Sequence, residues 1–562
     1  MQRRDTLVIA VVAVLVGGCL SSTAPTPAPS AAGPTNPPSA TASGSPAPGP
    51  SESPAPTTGA IPPSFPLAVV TGLENAKPAT TVADIQALGA AGKLVLPCGV
   101  ELTAPAIVVA HIPLASGAGG AGGGSGGPAS TCLPADQIAK DLQAHPTDVA
   151  LLPAGLVEPA TRTLPIGGSG PFGLGGADLF GDPAARVLPY PVMGKADGSA
   201  TLDPAWFDYD PSSIWTLASV GGVCSDAGSA YQALALHKGW DWIFDGGTAR
   251  YAQGPHLNPS PPAGIGRYTV VSPVDTGHHG AVAQLISGAD LTIADVECPI
   301  VTNFVPNYGG QVLQFSISSA VLPLWQQKLG FDVVYMAANH NTDKGLLGVQ
   351  QTLELLPKYD IEGVGLGLDF DQAMAPAYVT RAGVKIAFVA WNDVPGVWKA
   401  TPTHAGVPWL TQANVEASVK AARAAGAQLV FCDPQWWGGA EYHSDLAAGQ
   451  QAQLVWFEQA GCDEVVGAGT HLAGPLLLQD LNGHVGMVMA SEGNLTFGQN
   501  WWQDTQEGVI MTAAFRGPQL VNVRLWPYVM LLNARGALTD PQADGHYVLD
   551  RVWKNSTVDY LP

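Results

Sequence analysis

Five polar clusters recur in order along the second half of the chain, each directly behind an apolar run. Asp295-Val296-Glu297-Cys298-Pro299 follows Leu291–Ala294. Asn339-His340-Asn341-Thr342-Asp343-Lys344-Gly345 follows Val333–Met336. Asp433 to His443, with Gln435, Trp436, Trp437 and Glu441 inside it, follows Leu429–Cys432. Gly467-Ala468-Gly469-Thr470-His471 follows Glu464–Val466, and Ser491-Glu492-Gly493-Asn494 follows Val485–Met489. Carboxylate, imidazole and amide groups that converge can hold a divalent ion, grip a substrate, or act as acid and base. A lone histidine behind a strand is usually a hydrogen-bonded structural group. Five clusters in sequence are harder to explain that way.

The elements that must position these groups alternate. Strands are expected at Trp215–Val220, Leu291–Ala294, Val333–Met336, Val384–Trp391, Leu429–Cys432, Glu464–Val466 and Val485–Met489. Helices are expected at Gly345–Tyr359, Val415–Ala425 and Gln451–Ala460. Alternation of this kind builds sheets covered by helices, with function gathered at the carboxyl ends of strands. Residues 64–212 read as a separate, smaller α/β domain of unknown role. Its strands are expected at Leu94–Leu96, Ile107–Val109 and Asp148–Leu152, its helix at Ala135–Ala144. It holds no catalytic constellation; a solute-binding role is one reading of it. The glycine run Gly117–Gly127 lacks the Gly-Lys-Ser/Thr ending of a phosphate cradle and reads as a surface loop.

The amino terminus reads as an address. Arg3 and Arg4 precede the apolar run Leu7–Val16, which is too short to span a bilayer comfortably. Val16-Gly17-Gly18-Cys19 resembles a bacterial lipobox, so residues 1–19 are expected to be a lipoprotein signal and Cys19 the lipidated residue. Residues 20–63 are almost wholly Ser, Thr, Ala, Pro and Gly and form an expected disordered, semi-stiff spacer. This places the protein on the extracellular face of the cell membrane, held by its lipid anchor only. Six further cysteines show no zinc-ligand spacing. Cys98 and Cys132 flank the glycine run and could close it by a disulfide.

Composition excludes several classes. Lys+Arg 24 against Asp+Glu 45 gives a net charge of −21. Such a chain does not present the basic face that nucleic acid requires. Charged residues make up 12% and hydrophobic residues 46%, so there is ample material for cores.

The ordered clusters resemble the CapA-type family named for poly-γ-glutamate capsule synthesis, over about Ile214 to Met511. Its Asn-Asn-His loop resembles Asn339-His340 followed by Asp343 and Gly345. Its Asn-Leu-Glu-x-Pro resembles Asp295 to Pro299, and its His-Trp-Gly with Glu-Tyr resembles Gln435 to Gly438 with Glu441-Tyr442. Its Gly-Asn-Phe resembles Gly493-Asn494-Leu495. The resemblance implies a calcineurin-like metallophosphatase fold: an α/β, layered β-sandwich flanked by helices, over residues 213–530. Residues 531–562 are then a carboxyl-terminal extension. It also implies His340, Glu297 and Asn339 as catalytic candidates. Metal candidates are Glu297, Asn339, His340 and His471. Asp295, Asp343, Gln435, Trp436, Trp437, Glu441 and Asn494 are left to bind ligand.

Departures from the family pattern bear on activity. Gly222 stands where the first metal carboxylate is expected, with Asp245 in an alternative alignment. Gln435 or Trp436 replaces one histidine, and Gly469 another. The losses leave one divalent metal (Mn, Zn or Fe) or none, with Asp226, Asp245, His278 or His279 as compensating candidates. Two functions stay open. One is an exported enzyme in the synthesis, processing or retention of a cell-surface polymer of the poly-γ-glutamate or capsule type, partnered by that polymer or its biosynthetic machinery. The other is a non-catalytic lipoprotein whose cleft binds a glycan or peptide polymer, with Trp436 and Trp437 as stacking faces. A −21 chain repels a polyanion, so a metal or a local basic patch would be needed for poly-γ-glutamate.

Overall fold

The computed structural model describes residues 64–103, 132–198, 202–259, 267–308, 313–439, 441–481, 483–500 and 502–560. The signal segment with Cys19, the 20–63 spacer, the Ile107–Val109 strand and the Gly117–Gly127 run lie outside them. Residues 61–562 group as one unit.

Two sheets face each other in the second half of the chain. In the ten-stranded sheet, strands Ile214–Cys224, Leu291–Val296, Val333–Tyr335 and Glu362–Val364 run parallel in that order. On its other side, Ile214–Cys224 pairs antiparallel with Glu507–Arg516, followed by Gln519–Leu531 and Arg535–Leu538. In the seven-stranded sheet, Val384–Asn392, Leu429–Gln435, Glu464–Val466 and His484–Met489 are parallel neighbours, with antiparallel strands Ala377–Arg381 and Leu476–Leu481 flanking them.

Three cores make this a four-layer stack. Trp215, Leu217, Tyr335, Phe388, Phe431 and Phe515 pack between the sheets, and Trp215 stacks on Phe515 at 4.3 Å. The outer face of the larger sheet packs on the helices around Trp240, Ile286 and Val349. The outer face of the smaller one packs on helices Gln412–Ala424 and Ala448–Ala460. Both faces of each sheet are therefore buried. The central strands read as near-continuous apolar runs for that reason. The expected layered sandwich flanked by helices is present.

A third sheet, ordered Val100–Thr103, Met193–Ala196, Phe65–Gly72, Val149–Pro153, Leu94–Pro97 and Cys132–Leu133, forms from the first region. Its core takes in Ile214, Ala514 and Val521 of the ten-stranded sheet. Arg516 donates to the backbone oxygens of Ala154 and Gly155 across the same contact.

Three disulfides join all six described cysteines: Cys98–Cys132, Cys224–Cys298 and Cys432–Cys462. The second ties the end of strand Ile214–Cys224 to the residue after Glu297. No helix among the described residues is long and apolar enough to cross a membrane.

Candidate functional site

Strand ends of both sheets meet at one place. Glu297 follows Leu291–Val296, Asn339 follows Val333–Tyr335, Gln435 closes Leu429–Gln435, and His471 follows Glu464–Val466. Asn494 opens the short strand Asn494–Phe497. The structure thus brings together residues nearly 200 positions apart in the chain.

Glu297 is the anionic centre, with its side chain 1% exposed. Its Oε1 accepts from Gln435 Nε2 at 2.6 Å, and the same amide donates to Asn339 Oδ1 at 3.2 Å. Glu297 Oε2 and Gln435 Oε1 are buried and have no hydrogen-bond partner. His471 Nδ1 lies 3.8 Å from Glu297 Oε2 and 2.9 Å from Asn494 Oδ1. Asn494 Nδ2 donates to Gln499 Oε1 at 3.2 Å, and Gln499 Nε2 donates to the Tyr442 hydroxyl at 3.3 Å. The Tyr442 ring stacks on His471 at 5.5 Å. Both Tyr442 and His471 hold left-handed backbone, with φ of 61° and 62°. Such conformations cost free energy in non-glycine residues and gather where surrounding structure over-determines a site.

His340 forms a second group at the rim. Its Nδ1 meets Asp343 Oδ2 at 2.8 Å, and the Phe315 backbone N–H donates to that same oxygen at 2.8 Å. The Phe315 ring lies edge-on to the imidazole at 5.0 Å. Burial pulls the His340 pKa down. The hydrogen bond and charge of Asp343, helped by Glu297 and Glu441, outweigh it, so the pKa sits above the ordinary value. With Nδ1 held by Asp343, Nε2 is the nitrogen available to a substrate.

One expected ligand residue, Trp436, is corrected. Trp436 is fully buried: its indole N–H donates to Ala490 O at 2.9 Å, and its ring packs on Phe457 in the core behind the site. It offers no stacking face. Asp295 points between the two sheets, where its carboxyl is buried beside Glu297, Asp433 and Glu492. Trp437 is half-buried, and its backbone N–H donates to Asp393. Asp343 acts through His340. Glu441 lies near His340 and Tyr442, whose hydroxyl pKa is raised by burial and then by Glu441 and Glu297.

The compensating candidates are elsewhere. Asp226 accepts from the backbone N–H groups of Ala227, Asn307 and Ser316. Asp245 pairs with Lys328, and His279 with Arg535. Gly222 does face the site: a Cβ there would meet Asn494 Oδ1 at 2.9 Å and Glu297 Oε2 at 3.6 Å. Gly469, at φ +98°, lies 3.3 Å from Gln435 Cδ by the same measure. The missing ligand positions are therefore at the centre, and neighbouring amides fill part of their space. Tyr442 is marked in the sequence only through the Glu441-Tyr442 pair, and Gln499 has no signal beyond its place after Asn494.

Divalent metal chemistry fits in reduced form. The orphaned Glu297 Oε2 and Gln435 Oε1, with Asn339 and His471, give one carboxylate and three neutral donors, suited to one ion rather than two. Among the described residues, Asp141, His145 and Asp148 form another close group, with ligand atoms within 4.8 Å of one another. That group is largely exposed on the first region and lacks any orphaned buried oxygen.

Residues 241–499 match the family model of the bacterial capsule synthesis protein PGA_cap. The capsule biosynthesis protein CapA of Bacillus anthracis is 25% identical over 235 residues, 41% of this chain and 56% of that protein. The PGA biosynthesis protein CapA of Bacillus subtilis is 28% identical over 185 residues, 32% of this chain and 47% of that protein. The chain thus spans about half the length of these relatives. Among solved structures, the Haemophilus influenzae NAD nucleotidase NadN is 13% identical at a TM-score of 0.31, covering 62% of this chain and 57% of its own. The calcineurin-like phosphoesterase YfkN of Bacillus subtilis is 9% identical at 0.30, covering 60% and 98%.

Proposed function

We propose that this chain, whose residues 241–499 match the family model of the bacterial capsule synthesis protein, is an exported, lipid-anchored protein that processes or retains a cell-surface polymer at the Glu297 centre. The observation that carries this reading is the convergence of Glu297, Asn339, Gln435 and His471 beside an oriented His340–Asp343 pair. Glu297 would hold one divalent ion with help from the three neutral donors, and that ion would supply Lewis-acid polarisation of a substrate oxygen. His340 Nε2 would give or take a proton at the rim. Export is supported by the three disulfides, which belong to oxidising compartments.

One observation favours the second reading, a binding cleft without catalysis. The Gln435 amide donates to both Glu297 and Asn339, so these oxygens are held together without a cation.

Elemental mass spectrometry on the full chain, after exchange against Mn, Zn and Fe in turn, separates the two. About one ion per chain, lost in Glu297→Gln, supports the metal-dependent reading. No bound ion in a folded protein supports the cleft, and two ions would contradict the donor count.

A further inference from the structure

A cavity of about 290 Å³ lies where the first region meets the carboxyl-terminal residues. Strand Thr557–Val558, at the edge of the seven-stranded sheet beside Leu476–Leu481, contributes one wall. The end of helix Ala135–Ala144 contributes another, and Gln143 Nε2 donates to Val558 O at 3.4 Å between them. The Ala160 backbone N–H donates to the Tyr560 hydroxyl at 2.7 Å across the same seam. Leu73, Leu142 and Leu476 are buried in the walls, and Trp553 is half-buried there.

Neutral polar groups of the lining are largely committed to the protein. Ser556 Oγ accepts from the Leu476 backbone N–H at 3.0 Å and donates to Val552 O at 2.8 Å. The charged groups are not. Glu74 and Asp559 both line the cavity, and neither side chain has a hydrogen bond or ion pair among the described residues. No lysine, arginine or histidine is among the lining residues. Burial raises the Glu74 pKa with nothing opposing it, as expected of a carboxylate that gives up water without gaining a cation.

Two carboxylates against no cation make the cavity negative, within a chain whose net charge is −21. An anionic ligand is repelled there, and a neutral one leaves both carboxylates unpaired. We infer that this cavity is a second binding site, for a small organic ammonium ion with an apolar body. Glu74 and Asp559 supply charged acceptors for the ammonium N–H groups. The leucines suit a hydrocarbon body, and the Trp553 indole is a wall that accommodates a cation as well as an apolar group.

Isothermal titration of the full chain with hexylammonium chloride, and in parallel with hexan-1-ol and sodium hexanoate, tests this. Saturable binding of one hexylammonium per chain is expected, with hexan-1-ol weaker by about tenfold or more, the scale of a charge-assisted hydrogen bond. Hexanoate should not bind. Glu74 and Asp559 are at the surface, so the double variant Glu74→Gln/Asp559→Asn should fold as the wild type does. It is expected to bring hexylammonium down to the affinity of hexan-1-ol. Gln143→Trp, also at a surface position, obstructs the cavity and should weaken both. Equal affinity for hexylammonium and hexan-1-ol in the wild type, or no saturable binding, would overturn the assignment. Unchanged hexylammonium affinity in the double variant would do so too, because the amine would then sit on carboxylates elsewhere. So would its loss in Glu297→Gln, which would put the ligand in the other site.

Discussion

Glu297 decides whether the centre can hold an ion, because it is the carboxylate that meets Gln435 and lies beside His471. Gln435 decides how well. In Gln435→His, an imidazole would replace an amide whose nitrogen now faces Glu297. Metal affinity measured by titration with Zn is expected to rise by about tenfold, the low end of what one ligand-shell change moves. Unchanged affinity would mean that position 435 does not contact the ion. Trp436 belongs to a different argument at the same scale. Its ring is in the core against Phe457, so Trp436→Ala is expected to cost about 3–5 kcal/mol of stability. Urea denaturation reads that cost directly; a loss under 1 kcal/mol would deny it a core role.

Strands and helices of the second half were legible in the sequence, and the directions of their side chains were not. Val384–Asn392, Leu429–Gln435 and Glu464–Val466 announce themselves as apolar runs. Because each sheet is covered on both faces, the alternation that would separate inward from outward residues is lost. Trp436 and Trp437 are adjacent and equally aromatic, yet only packing by Phe457 tells that the first is core. Asp295 and Glu297 are two residues apart, yet one turns between the sheets and the other reaches Gln435 in the strand-end cluster. The Cys224–Cys298 bridge was equally invisible, since 74 residues separate its partners and no spacing rule applies. It pins the strand carrying Gly222 to the segment carrying Glu297. Closing a loop of that length constrains the unfolded chain by about 4 kcal/mol. The double variant Cys224→Ser/Cys298→Ser is therefore expected to lose a few kcal/mol in denaturant unfolding, and to bind metal more weakly than the double variant at Cys432 and Cys462. Equal metal affinity in the two would show that the first bridge stabilises the fold without positioning Glu297.

At the scale of the whole molecule, the space between the two large sheets makes stability depend on pH. Glu492 is buried there; Ser219 Oγ donates to its Oε2 at 3.0 Å, and its Oε1 has no partner. Asp295, Asp433, Tyr335 and Tyr528 are the titratable groups near it, and no lysine, arginine or histidine is among its charge partners. Burial pushes its pKa up to about 8. Folding therefore takes up a proton at pH values where the unfolded chain would release it. For a raised carboxyl the stabilisation is complete below the unfolded value near 4.5 and is lost as pH climbs through the folded value. Stability should accordingly fall between pH 5 and pH 8, by about 3–5 kcal/mol from this group. Glu464, with a pKa raised to about 7 by burial despite His484, adds to the same slope. The −21 net charge acts in the same direction through self-repulsion, so wild-type melting curves alone do not isolate Glu492. Glu492→Gln keeps an oxygen for Ser219 and removes the proton. Its melting temperature should vary less between pH 5 and pH 8 than that of the wild type, with the difference greatest at pH 8. Parallel curves for the two proteins would mean that Glu492 titrates normally and that the space between the sheets admits water.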